Sequence, residues 1–171
     1  MPRKSKPDNT AKTEKLTHAQ RDSLPNAGFW RRVGAMIYDS LLVIALVMSL
    51  LLIAVALTNN RIESAYSQPL SIVACYGFFA FFWLRNRQTL GMLAWGLEIQ
   101  PNSVAGPGGD PVIPPLSMTM ITLRFVGACA GALAFGFGYL WILIDNQNRS
   151  WSDLLSGTRI VRLPNQFAGN Q

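Results

Sequence analysis

Three long apolar runs constrain the fold of this sequence more than any other feature. They occupy residues 33–57, 70–84 and 116–144. An α-helix rises about 1.5 Å per residue, so the first run is long enough to cross a hydrocarbon core of roughly 30 Å. Half of the 171 residues are hydrophobic and only 14% are charged, which excludes a small soluble domain. The sequence therefore predicts an all-α integral membrane protein with a small bundle of three hydrophobic segments.

The second run is shorter than a bilayer crossing requires. Residues 70–84 reach that length only when residues 66–68 are added. Arg85 and Arg87 follow the run and are expected to end the span on the cytoplasmic side. The first two runs together predict a helical hairpin with a short external loop near residues 59–63.

The third run permits two arrangements. One tilted helix over residues 116–144 has the length to cross, but it would carry the basic C-terminal segment to the outer side. A re-entrant hairpin broken near residues 127–131 would keep that segment in the cytoplasm, although each half would be shorter than a full crossing. The pattern leaves both arrangements open, with a preference for a cytoplasmic C-terminal tail.

Basic residues are concentrated before the first apolar run. Residues 1–32 hold eight Lys or Arg and three Asp or Glu. Basic residues next to a span resist translocation, which predicts a multi-pass protein of the cell (inner) membrane with a cytoplasmic N-terminus. Residues 1–27 show no sustained apolar period and predict a disordered basic tail. A transmembrane domain over residues 28–163 and a short tail over residues 164–171 complete the expected organisation.

Residues 88–117 form the one sizeable connector. The apolar residues in its first part fit a helical face in one interpretation and an alternating strand in another. We expect a helical turn near residues 89–93, followed by an extended segment. The glycines and prolines of residues 106–111 predict a turn after that segment.

Two charged residues lie within the apolar runs, Asp39 in the first and Arg124 in the third. Opposite charges at similar depth relieve each other's desolvation, so the sequence predicts an interhelical pair between Asp39 and Arg124. Arg32 shares a helical face with Asp39, but it lies about 10.5 Å away along the axis, which argues against a direct pair. The alternatives for Asp39 are an ion or proton site and a hydrated position near the membrane boundary.

Small residues recur at spacings of four, three and four along the third run. They are Gly127, Gly131, Ala134 and Gly138. A helix face of small side chains lets a second helix approach closely. The stripe favours packing within the chain, with self-association as the alternative.

The chemistry-bearing residues give no sign of a catalytic or metal site. His18 is the single histidine, and Cys75 and Cys129 are isolated within apolar runs. The sequence holds no recognised nucleophile, metal-ligand or phosphate-binding motif. Its basic residues lack the aromatic interleaving that is typical of a nucleic-acid surface. We therefore expect no enzyme activity, no cofactor, no metal and no nucleic-acid partner.

Three local patterns resemble the RDD family of membrane proteins. FWRRVGAMIYD, at residues 29–39, is similar to the opening of that family. QTLG and GLEI, within residues 88–99, are similar to its connector motif. Asp145 together with SDLLSGT, at residues 152–158, is similar to its closing motif. The order and spacing of the patterns extend the resemblance over about residues 28–162.

The resemblance implies roles for particular side chains. It maps the family's Arg onto Arg32 and its first Asp onto Asp39. The second Asp falls on Asp153, with Asp145 as the alternative. The family is of largely unknown function, and transport of unidentified ligands has been proposed for it.

The connector and closing motifs also carry named positions. These positions are Thr89, Gly91 and Gly96 in the connector and Gly157 and Thr158 in the closing motif. The chain departs from the family pattern at Met92, where a basic residue is usual, and at Ser152, where His is frequent. A role that depends on either of those family side chains does not carry over.

Two functions fit a membrane protein of this size. The first is an accessory, adaptor or assembly component whose basic head, connector and tail hold a partner while its helices anchor it in the lipid bilayer. The second is a transporter of cations, protons or an unidentified small ligand that uses Asp39. Three helices cannot shield a polar conduit from lipid, so transport requires a homo-oligomer. The accessory function instead requires a stable heterologous partner, for which another membrane protein is a candidate.

Overall fold

The first two apolar runs each form one long helix. The computed structural model describes residues 17–58 and 64–164. Within them, α2 (Phe29–Thr58) and α3 (Ser64–Asn86) are both long and apolar enough to cross a membrane. Helix α3 includes residues 66–68, as the length argument predicts. The chain is an all-α integral membrane protein, and the predicted external loop lies outside the described residues.

The connector folds as a short helix, a strand and a small hairpin. Its elements are α4 (Leu90–Ala94), β1 (Leu97–Pro101), β2 (Val104–Ala105) and β3 (Pro111–Val112). Thr89 caps α4, because its hydroxyl accepts a hydrogen bond from the backbone N–H of Met92. The helical turn, the extended segment and the turn after it are confirmed, and β2 and β3 pair across that turn.

The third run is a broken helix. Its parts are α5 (Met118–Leu133), α6 (Phe137–Leu140) and a 3₁₀ turn (Trp141–Leu143). The two halves meet at an angle of 109°. The break lies at Phe135 and Gly136, whose φ angles are 53° and 81°, and not near residues 127–131. Left-handed backbone reverses the chain there, whereas Gly127 and Gly131 remain inside α5.

A two-stranded sheet brings both ends of the domain to the same side. Helix α7 (Trp151–Ser156) leads into β4 (Thr158–Arg162), which pairs antiparallel with β1. The segment before α2 joins them, because the N–H of Ala27 donates to the carbonyl of Ile160 at 2.8 Å. The chain therefore enters α5 and returns through α7 at the end that carries the sheet, as the re-entrant arrangement predicts; by length and composition the bent pair of α5 and α6 is a broken span or a re-entrant loop.

Part of the predicted N-terminal tail is folded. Residues 17–27 contain α1 (His18–Asp22), and Leu24 and Ala27 are buried. Arg21 donates to the carboxylate of Glu98 on β1 at 2.7 Å. These few buried contacts produce no periodic apolar pattern in the sequence. The sequence of residues 17–27 therefore predicted disorder although the segment is folded. The remainder of the predicted tails, residues 1–16 and 165–171, lies outside the described chain.

The apolar core lies where the ends of α2, α3 and α5 meet β1. Its buried members are Ala27, Ala35, Ala80, Trp83, Met92, Leu97, Ile99 and Ile121. Beyond Asp39, no residue of α2 is buried within the described chain. The fold is therefore held together at the end of the helices that carries the sheet.

Candidate functional site

Three charged side chains meet in the interior, one from each of α2, α5 and α7. Arg32 donates through Nη1 to Oδ2 of Asp153. Arg124 donates through Nη1 to Oδ1 of the same carboxylate at 2.7 Å. The exposed fractions of Arg32, Arg124 and Asp153 are 3%, 5% and 1%. Two buried guanidinium groups therefore share one buried carboxylate, and we call these three residues the charge cluster.

Backbone and hydroxyl groups complete the charge cluster. Arg32 donates through Nε to the carbonyl of Ala27 at 3.1 Å and through Nη2 to that of Asn148 at 2.7 Å. Arg124 also donates to the hydroxyl of Thr158 at 2.7 Å. The cluster thus connects the N-terminal segment, two membrane helices, α7 and β4. Charged groups that are buried and paired in this way fix the positions of the elements that carry them.

Asp153 is held in place by the start of its own helix. Ser150 caps α7, because its hydroxyl accepts a hydrogen bond from the backbone N–H of Asp153. The carboxylate of Asp153 in turn accepts one from the backbone N–H of Ser150. Burial acts to raise the pKa of Asp153, but the charges of Arg124 and Arg32 outweigh it and hold the pKa below its ordinary value. Asp153 is therefore a carboxylate at neutral pH. The S-x-x-D spacing of residues 150–153 is the sequence signal for this cap.

The predicted pair between Asp39 and Arg124 does not form. Asp39 accepts instead from the hydroxyl of Thr89 at 2.5 Å and from the backbone N–H of Gly91 at 2.8 Å. Both donors belong to the start of α4, which packs against α2 at the depth of Asp39. The pair was predicted from the charges in the apolar runs alone. The partners of Asp39 come instead from the connector, and the carboxylate that binds Arg124 comes from α7.

Helix α4 approaches α2 closely enough that Gly91 has no room for a side chain. A Cβ atom at this position would overlap the carbonyl oxygen of Ala35 and the carboxylate of Asp39. The absence of a Cβ therefore allows the N–H of Gly91 to reach Asp39. Gly96 and Gly157, the other motif glycines, precede β1 and β4 and have φ angles of 63° and 62°.

The stripe of small residues does not lie on one helix. Gly127 and Gly131 belong to α5, Ala134 follows its end, and Gly138 lies in α6 beyond the break. A Cβ on Gly127 would lie 2.9 Å from the Cα of Ser152, and one on Gly131 would lie 3.2 Å from the Cα of Gly138. These glycines therefore let the returning segment pack against α5 within the chain.

Asp145 lies apart from the charge cluster. It binds Arg149, four residues later, with an Nη2 to Oδ1 distance of 3.0 Å. Hydrogen bonds from the side chain and backbone of Arg149 lower the pKa of Asp145 to about 2. Asp153 and Asp145 were the two candidates for the second Asp of the family pattern. The structure pairs Asp153 with Arg32, whereas Asp145 pairs with Arg149.

A cavity of about 360 Å³ adjoins the charge cluster between α2, α3 and α5. Its charged lining residues are Arg32, Asp39 and Arg124. Most of the remaining wall is apolar or aromatic. It includes Met36, Cys75, Phe79, Trp83, Phe125, Ala128 and Ala132. Sequence reasoning missed the cavity, because no single helix face encloses it.

The comparison with known families decides the classification of the chain. The sequence model of the RDD family matches residues 26–157, which is more than half of the chain. The chain belongs to the RDD family. The matched residues include every member of the charge cluster as well as Asp39. Membership of this family, together with the apolar helices, supports the conclusion that the chain is a membrane protein. Neither the curated proteins nor the solved structures compared with this RDD protein give a significant match.

Proposed function

We propose that this RDD protein is a non-catalytic accessory or assembly component of the cell (inner) membrane. The observation that carries the proposal is the use of the buried charges by the fold itself. Asp153 binds both arginines, and both oxygens of Asp39 accept hydrogen bonds from α4. Among the described residues, no group of His, Cys, Asp or Glu is arranged to hold a metal ion. The buried charges thus stabilise the fold, which is the role expected of them in a structural, non-catalytic protein.

The outer surface of α2 has a side-chain pattern that suits packing against a partner helix. Large hydrophobic side chains that are exposed in the described chain recur along one face at spacings of four, three, four, four and three. They are Ile37, Leu41, Ile44, Met48, Leu52 and Val55. This is the spacing with which one helix packs along another, and lipid is the competing occupant.

The orientation is part of the proposal. The sheet, α7 and the segment before α2 lie at one end of the membrane helices, and Arg21, Arg149, Arg159 and Arg162 belong to those elements or the loops beside them. Lys and Arg next to spans favour the cytoplasmic side. We therefore place the N-terminus, the connector and the C-terminal strand in the cytoplasm.

The accessory function predicts a stoichiometric second protein bound along α2. The complex is extracted with its native lipid, and its mass is measured by native mass spectrometry. We expect the mass of one partner in addition to this chain, and loss of most of that partner in Ile44→Trp. The matched control is Val73→Trp, which changes an exposed residue of α3 and should retain the partner. Extraction of this chain with lipid alone would contradict the accessory function.

Ligand transport is the second candidate, and the cavity beside Asp39 favours it. The cavity is open to Asp39 and is formed by all three apolar segments. Transport predicts a homo-oligomer in the same mass measurement, and protein-dependent proton or cation flux in proteoliposomes. The flux should fall in Asp39→Asn at equal insertion. Unchanged flux in that variant would remove Asp39 from the transport function.

A further inference from the structure

The cavity contains hydrogen-bond donors that the described protein does not satisfy. Both hydrogen bonds of the Arg124 guanidinium use Nη1, and no described residue accepts from its Nε or Nη2. The guanidinium carbon of Arg124 lies 5.7 Å from the ring centre of Trp83. The N–H groups on Nε and Nη2 of Arg124, which lines the cavity, are therefore suited to an oxygen atom supplied by a ligand.

The remainder of the cavity is suited to an apolar chain. Ala128 and Ala132 line it one and two turns beyond Arg124 along α5, so the lining extends about 12 Å from the guanidinium. Phe79 and Phe125 provide aromatic walls beside them. A volume of about 360 Å³ lies within the range of small-molecule sites, which combine apolar walls with a few convergent polar groups.

The charges favour an acid as the polar group. Arg32 and Arg124 carry two positive charges, which the carboxylates of Asp153 and Asp39 offset, but no carboxylate of the described chain binds Nε or Nη2 of Arg124. Asp39 also lines the cavity, but both of its oxygens are directed to donors at the start of α4. A carboxylate pairs strongly with a guanidinium that retains free N–H groups.

We propose that this cavity binds a single-chain amphiphilic acid, such as a fatty acid, with its carboxylate at Arg124 and its chain along α5. The site goes beyond the accessory function and does not require the partner on α2. It also makes Cys75 and Cys129, which line the cavity, part of the wall for the apolar chain.

Photo-crosslinking of the full chain in phosphatidylcholine nanodiscs tests the site. The probe is decanoic acid with a terminal diazirine, and the labelled residues are mapped by mass spectrometry. We expect labelling of α5 near Ala128 and Ala132. Excess decanoate should suppress that labelling by about fivefold or more, whereas decanol should compete much less because it lacks the charge. Equal competition by decanol, or competition by decyltrimethylammonium in place of decanoate, would overturn the proposal.

Two variants connect the labelling to the cavity. Ala128→Leu fills the apolar end and should reduce labelling by about fivefold or more. Ala130→Leu is the matched control, since Ala130 is exposed on the same helix and does not line the cavity. Equal labelling of the two alanine variants, each with wild-type helical content, would also overturn the proposal.

Discussion

Asp153→Asn is expected to destabilise this protein by about 3–5 kcal/mol, because it leaves two buried arginines without their counter-charge. Arg32 and Arg124 both bind the Asp153 carboxylate, and the side chain of Asp153 is fully buried. An amide keeps the shape of the side chain but provides neither the charge nor the second acceptor oxygen. The measurement is the free energy of unfolding in detergent micelles, from a denaturant titration followed by circular dichroism.

Asp22→Asn is the matched control for this substitution. Asp22 binds Arg159 at 3.2 Å, and their side chains are 35% and 20% exposed. An ion pair with this exposure contributes about 0–1 kcal/mol, so the control variant should remain close to the wild type. If Asp153→Asn and Asp22→Asn lowered the free energy of unfolding equally, the charge cluster would have no special role in stability.

Gly91→Ala is expected to lower the free energy of unfolding by about 1–3 kcal/mol, the usual cost of an added methyl group in a tightly packed site. The new Cβ would overlap the carbonyl oxygen of Ala35 and the carboxylate of Asp39. Helix α4 must then move away from α2, which weakens the hydrogen bond from the N–H of Gly91 to Asp39. The same unfolding titration measures the change.

Gly77→Ala tests whether that cost comes from the contact with α2. Gly77 is also helical, in α3, but a Cβ there would meet no atom within 4 Å. Alanine stabilises a helix interior relative to glycine by about 0.5–1 kcal/mol, so this variant should be as stable as the wild type or slightly more stable. A similar loss of stability in both glycine variants would contradict close packing at Gly91.

The membrane helices were predictable because the bilayer imposes a simple rule on the sequence. A helix in lipid must be continuously apolar over its length, so α2 and α3 are visible as runs of residues. The connector was predictable for a similar reason, since Thr89 is a preferred helix cap and glycines with prolines indicate a turn. In each case the signal lies within a few neighbouring residues.

The partners of the buried charges were not predictable, because they come from segments distant in sequence. Arg32 and Asp153 are separated by 121 positions, and Asp153 lies in a helix of only six residues. Asp39 is held partly by a backbone N–H, which every residue except proline possesses. The cavity was invisible for the same reason, since three helices and the connector must first assemble around it.

The position of the break in the third run was predicted wrongly from the glycine content of the sequence. Glycines near residues 127–131 suggested the bend, yet α5 continues through them and reverses at Phe135 and Gly136. Gly127 instead allows α7 to approach α5. Within a membrane helix, glycine permits close packing as readily as it permits a bend.

The buried charges of this RDD protein hold its sheet, α7 and the segment before α2 to its membrane helices. A double-mutant cycle on Asp153→Asn and Arg124→Gln tests this role most directly, with a second cycle on Asp39→Asn and Arg124→Gln as reference. We predict a coupling of about 1–3 kcal/mol between Asp153 and Arg124, and less than about 0.5 kcal/mol between Asp39 and Arg124. A larger coupling between Asp39 and Arg124 than between Asp153 and Arg124 would contradict the account.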